Sequence, residues 1–110
     1  MIYVQIAGAR YPARILGRVR DPDWDGRESK AITLQMEFAQ AKALFTDGCR
    51  WEIVCVEAEE ETVYDNSAFS VAGSVTDHRT GSVTVKMGKP TAEERLAELM
   101  AKYGEASRGK

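Results

Sequence analysis

Apolar and polar side chains alternate with a period of two along most of this chain, and that pattern limits what it can fold into. Ile2, Val4 and Ile6 alternate with Tyr3 and Gln5. Across Arg14–Arg20, Ile15 and Val19 hold one parity and Arg14, Arg18 and Arg20 the other. Ile32, Leu34 and Met36 alternate with Thr33 and Gln35. Phe69, Val71, Gly73 and Val75 alternate with Ser70, Ala72, Ser74 and Thr76, and Val83, Val85 and Met87 alternate with Thr84 and Lys86. Residues two apart in a strand share a face, so each run reads as a strand with one face for a core. Trp51 to Val56 differs, because it is apolar on both parities. Such a strand belongs near the middle of a sheet or under a partner.

Turn chemistry orders these runs. Gly8-Ala9 suits a two-residue type II′ turn, which makes the opening a hairpin. Asp77-His78-Arg79-Thr80-Gly81 reads as a second hairpin loop, with Gly81 supplying a positive φ. Asp21-Pro22-Asp23-Trp24-Asp25-Gly26 is a loop, and the acidic stretch Glu57 to Glu61 a solvated break. Two segments carry helical signals. Ala39, Ala41, Ala43 and Leu44 favour a short helix from about Glu37 to Thr46, with Gly48 beyond its end. Pro90-Thr91 opens a second helix, where Thr91 and Glu94 fit a capping box and Leu96, Leu99, Met100 and Tyr103 form one apolar stripe. Gly104 is expected to end it.

The sequence has 110 residues, 44% hydrophobic and 29% charged, which suits one globular domain. The expectation is an α+β fold: a mainly antiparallel sheet of about six short strands with two helices, in the order β-β-β-α-β-β-β-α, the helices covering the apolar face. The domain spans 1–104, with 105–110 a frayed polar tail. A strand apolar on both faces in so short a chain suggests a homo-oligomer.

The formal net charge of −2 argues against a general nucleic-acid binder and against attraction to an anionic membrane surface. No apolar run approaches the ~18 residues that span a bilayer. The alternation begins at Met1 with no secretory leader, so a cytoplasm is expected. Cys49 and Cys55 lie six residues apart, roughly 20 Å along a strand, too far for a disulfide. Two reduced, buried thiols are expected.

Few residues invite chemistry. Asp21-x-Asp23-x-Asp25-Gly26 matches the first half of a calcium loop, whose oxygens suit a hard cation. Its second half fails, since the position for a bidentate Glu holds Ile32. A plain turn is the stronger reading, no metal or cofactor is expected, and calcium stays a weak alternative. Trp24 with Arg27 and Lys30 nearby could recognise an anionic, aromatic ligand, although a loop Trp also folds back on a core. His78 beside Asp77 and Arg79 invites comparison with a general base, but no motif supplies a nucleophile. Arg18 and Arg20, with Arg14, form a ridge that could bind phosphate if Lys86 or Lys89 lies alongside. The candidate contacts are therefore Trp24, Arg27, Lys30, His78, Arg79, Arg18 and Arg20, with no catalytic residue.

Several strings resemble a family of small proteins in prophages of clostridia and related gut Firmicutes. They are Asp23-Trp24-Asp25-Gly26-Arg27-Glu28-Ser29-Lys30-Ala31-Ile32-Thr33-Leu34, Tyr64-Asp65-Asn66-Ser67, Asp77-His78-Arg79 with Gly81, and Val85-Lys86-Met87-Gly88-Lys89-Pro90-Thr91. The resemblance runs to about Tyr103 and implies a phage origin and a bacterial host cytoplasm. It implies no catalytic residue. The expected function is a non-enzymatic phage protein that counteracts bacterial defence by binding a defence protein or sequestering a nucleotide signal. The alternative is a tail, baseplate or assembly component.

Overall fold

The computed structural model describes residues 1–21, 24 and 26–108, and side chains for 1–15, 24 and 26–101. Strands β1 (Ile2–Ile6), β2 (Ala9–Asp21) and β3 (Arg27–Gln35) precede helix α1 (Phe38–Leu44). Strands β4 (Trp51–Glu57), β5 (Glu60–Asp65), β6 (Val71–Asp77) and β7 (Ser82–Gly88) follow, then helix α2 (Ala92–Arg108). The strands form one sheet in the order β5-β4-β1-β2-β3-β7-β6. Each adjacent pair is antiparallel. The α+β class is as the alternation predicts.

Strand β2 is the spine. Its first part pairs with β1, from Ala9↔Ile6 to Pro12↔Tyr3, and its remainder pairs with β3, from Ala13↔Leu34 to Asp21↔Arg27. One continuous strand therefore joins a β5-β4-β1 half to a β3-β7-β6 half.

The core lies on one face. Val4, Ile6, Ile32, Leu34, Trp51, Ile53, Val83, Val85 and Met87 are buried there. The register sets Ile32 opposite Val85 and Leu34 opposite Val83, so the period-2 apolar sets meet across strands. Helix α1 closes this face with Ala41, and Phe45 just beyond it meets Trp51 edge-to-face at 6.1 Å. Trp51 Nε1 donates to the Phe69 carbonyl at 3.0 Å, which satisfies its one polar atom in the core.

The structure departs from the sequence reading at several points. The first turn is built on Ala7 (φ 52°) and Gly8 (φ 78°), a pair of left-handed residues as in type I′ rather than II′. The acidic break is a hairpin instead of a loop: Ala58 (φ 45°) and Glu59 (φ 69°) reverse the chain into a seventh strand, β5. Its residues are all exposed, so no buried face marks it in the sequence. Strand β4 consequently sits one place from a sheet edge, not at the centre.

A register shift between Ile15 and Gly17 divides the arginine ridge. Arg14 stands opposite Thr33, whereas Arg18 stands opposite Lys30 and Arg20 opposite Glu28, so the bulge moves the parity between them. Helix α2 continues through Gly104 to Arg108, since one interior Gly costs only about 1 kcal/mol against Ala. Among the described residues, α1 is the helix that covers the sheet. Leu96, Leu99 and Met100 of α2 are 58%, 64% and 65% exposed. Cys49 and Cys55 are free and half-buried rather than fully buried.

Candidate functional site

The residues nearest to chemistry gather where β3 begins, β7 ends and α2 starts. Gly26 (φ 68°) turns the chain into β3. The indole of Trp24 lies against two strand glycines, Gly73 of β6 and Gly88 of β7. A Cβ on Gly73 would stand 2.8 Å from Trp24 Cη2, and one on Gly88 would stand 3.0 Å from Trp24 Cζ3 and collide with Arg27 Cδ. The two glycines therefore form a cradle for the ring, consistent with Gly in a strand marking a close approach. Arg27 Cζ stacks 4.7 Å from the Trp24 ring centroid, and Lys86 Nζ lies 5.6 Å from it. Trp24 is thus half-buried, folded back onto the sheet.

Arg27 is 6% exposed. Its Nη1 donates to the Lys89 carbonyl at 2.9 Å and to Glu94 Oε1 at 2.5 Å, and its Nη2 donates to Glu94 Oε2 at 3.0 Å. Such a fork is the geometry in which Arg recognises carboxylates. The guanidinium, with the Thr91 amide, holds the Glu94 carboxyl down to about 2. The expected capping box is present: Thr91 N donates to Glu94 Oε1 at 2.8 Å and Glu94 N to Thr91 Oγ1 at 3.2 Å. Glu94 therefore caps α2 and receives Arg27 at once.

The neighbouring lysines are also engaged. Lys89 Nζ sits 3.0 Å from Glu28 Oε2 and 5.1 Å from the Phe69 ring centroid. Lys30 Nζ donates to Asn66 Oδ1 at 2.5 Å and lies 4.6 Å from the same ring. Asn66 is 3% exposed, and its backbone amide donates to the Trp51 carbonyl. Lys30 thus ties β3 to the turn that follows β5. A cavity of about 450 Å³ opens at this corner, lined by Arg27, Glu28, Lys89, Thr91 and Arg95 among others.

The other candidate loop lies elsewhere. His78 and Arg79 precede β7, whereas the Arg27 cluster adjoins its end, six residues and roughly 20 Å away. His78 Nε2 and Thr84 Oγ1 share a hydrogen bond of 2.6 Å, and Thr84 Oγ1 meets Thr33 Oγ1 at 2.8 Å. Asp77 Oδ1 accepts from the Arg79 amide at 2.8 Å, so its carboxylate is turned to the backbone of the loop.

The fold brings Trp24, Arg27 and Lys30 to one end of the sheet, and the β2–β3 register carries the backbone of Arg18 and Arg20 there. It leaves His78 and Arg79 at the other end. Asp23 and Asp25 of the calcium-like loop lie outside the described residues, and Asp21 closes β2. Among the described residues, no group of three or more His, Cys, Asp or Glu is placed to hold a metal. Sequence reasoning missed Arg95 and the partnership of Glu94 with Arg27. It also missed the cradle, for which Gly73 and Gly88 inside strand patterns were the available signal. No helix among the described residues is long and apolar enough to cross a membrane.

No family model matches the chain, no curated protein matches it, and no solved structure matches its fold.

Proposed function

We propose that this chain is a non-enzymatic, phage-encoded binding protein that counteracts bacterial defence by sequestering a nucleotide signal in the host cytoplasm. One observation carries the binding part: the cavity of about 450 Å³ has Arg27, Lys89 and Arg95 in its wall. Arg27 and Lys89 are held there by Glu94 and Glu28, so these cations are fixed before a ligand arrives. Their ion pairs fix the shape of the wall, and Arg95 is the cation placed to meet a phosphate oxygen there. The phage setting rests on the resemblance of the Asp23–Leu34, Tyr64–Ser67, Asp77–Arg79 (with Gly81) and Val85–Thr91 strings. Isothermal titration with cyclic mono- and dinucleotides tests the reading. Binding should appear and weaken about tenfold on Arg95→Ala, the loss of one charged hydrogen bond. No heat with any of these probes would remove nucleotide sequestration.

A second reading, a tail, baseplate or assembly component, draws support from the exposed Leu96, Leu99 and Met100 of α2. Mass spectrometry of purified virions separates the two. Stoichiometric copies in the particle favour assembly, and absence from it favours the inhibitor.

A further inference from the structure

Arg27 holds both sides of the point where α2 begins. Its Nη1 donates to the Lys89 carbonyl before the helix, and Nη1 and Nη2 together grip the Glu94 carboxylate in the first turn. Lys89 is itself fixed, since its amide donates to the Glu28 carbonyl at 2.9 Å. Within that bracket the first turn closes. The Arg95 amide donates to the Thr91 carbonyl at 3.0 Å, and Thr91 and Glu94 cap each other. The bracket is anchored in the body, because the Arg27 side chain is 5% exposed and lies against Trp24 and Gly88.

Beyond that turn α2 has little else to hold it. Among the described residues, no strand packs along the helix. Leu96, Leu99 and Met100 are all more than half exposed, so the apolar burial that stabilises most helices in proteins contributes little here. The segment is not a strong helix on its own either. Isolated helices of about 12–15 residues are marginal in water even when rich in alanine. Helix α2 has 17 residues, with Gly104, a poor helix former, in its interior. Glu94 and Glu98 are like charges one turn apart, which opposes a helix whenever Arg27 does not neutralise Glu94.

The unfavourable step in making a helix is its first turn, which fixes several residues for one hydrogen bond. Arg27 holds that turn ready formed. We infer that the Arg27–Glu94 contact is a latch on which the helical order of α2 depends. Closed, it supplies the nucleus from which Ala92–Arg108 winds. Open, the segment is unfolded chain attached to an intact sheet. Glu94 is the half that solvent reaches, with a side chain 47% exposed, so the latch opens from the carboxylate side. Among the described residues the buried core takes none from α2, so the sheet stands without it. This inference goes beyond both functional readings and depends on neither.

Amide hydrogen exchange on the full chain tests it, with Arg27→Met as the first variant. That substitution leaves Thr91, Glu94 and every other local signal of α2 in place and removes only the latch. In the wild type the amides of 95–108 should be protected. In Arg27→Met they should exchange freely, while those of β3 and β7 keep their protection. Helix α2 has 17 residues against 7 in α1, so circular dichroism at 222 nm should lose most of its helical signal. Glu94→Gln keeps the capping pattern and weakens the charged fork, and should speed α2 exchange about tenfold with β7 unchanged. It serves as the test if Arg27→Met fails to fold. Unprotected α2 amides in the wild type overturn the inference, as does an α2 as well protected in Arg27→Met as in the wild type. So does a Glu94→Gln variant in which α2 exchange is unchanged, or in which β7 loses protection together with α2.

Discussion

Arg27 and Glu94, 67 positions apart, meet through both nitrogens and both oxygens, and this contact fixes where α2 leaves the sheet. The pair is asymmetric. The Arg27 side chain is 5% exposed and the Glu94 side chain 47%. Removing the carboxylate strands a buried cation, whereas removing the cation leaves a carboxylate that water can reach. Glu94→Ala should therefore destabilise the fold more than Arg27→Met does. Urea midpoints of the two variants check the order, and a larger loss in Arg27→Met would refute the asymmetry.

Acid should loosen this end of the molecule. The Glu94 carboxyl titrates near 2 when folded, against an ordinary 4.5, so the unfolded chain binds that proton more readily. Its contribution is complete above about 4.5 and fades as the pH falls toward 2. Glu61, bonded to Arg10, and Asp65, bonded to Ser67, are shifted down too and act in the same direction. The melting temperature should fall across this window, and Glu94→Gln should make the fall shallower.

The glycine cradle predicts a steric effect. Gly88→Ala places a methyl against Arg27 Cδ and Trp24 Cζ3, and Gly73→Ala places one against Trp24 Cη2 and the Lys86 carbonyl. Either should cost about 1–3 kcal/mol, as other overpacked sites do. Trp24 fluorescence, isolated in a Trp51→Phe background, should shift to the red as the ring leaves its seat. An unshifted spectrum with full stability would show that the cradle is not tight.

The β4–β5 turn offers a gain. Ala58 and Glu59 both occupy the left-handed region, which disfavours residues with a Cβ. Replacing the pair by Asn-Gly suits a type I′ turn and should add about 1 kcal/mol. A thermal melt rising by several degrees would check it.

Particular elements show how far the sequence could be read. Strands β3 and β7 were legible because Ile32, Leu34, Val83 and Val85 obey a strict period of two, and the period is a property of the backbone itself. The Thr91–Glu94 cap was legible because it is local. Strand β5 was not, because Glu60–Asp65 has no buried face and earns its place through backbone hydrogen bonds to β4. The end of the sheet around Arg27 was half legible. Trp24, Arg27 and Lys30 stood out as residue types, but their partners Gly73, Gly88, Glu94 and Asn66 are distant in sequence and unremarkable in pattern.

The sequence by itself determined the antiparallel α+β character, the β6–β7 hairpin, the capping of α2 and its apolar stripe. Each follows from periodicity or from contacts within a few residues. Only the tertiary structure decided that Trp24 lies in a glycine cradle and that the two candidate loops stand at opposite ends of β7. It also decided that the α2 stripe faces outward. These outcomes depend on strand order and on ion pairs such as Arg27–Glu94 between distant segments, which no local pattern encodes.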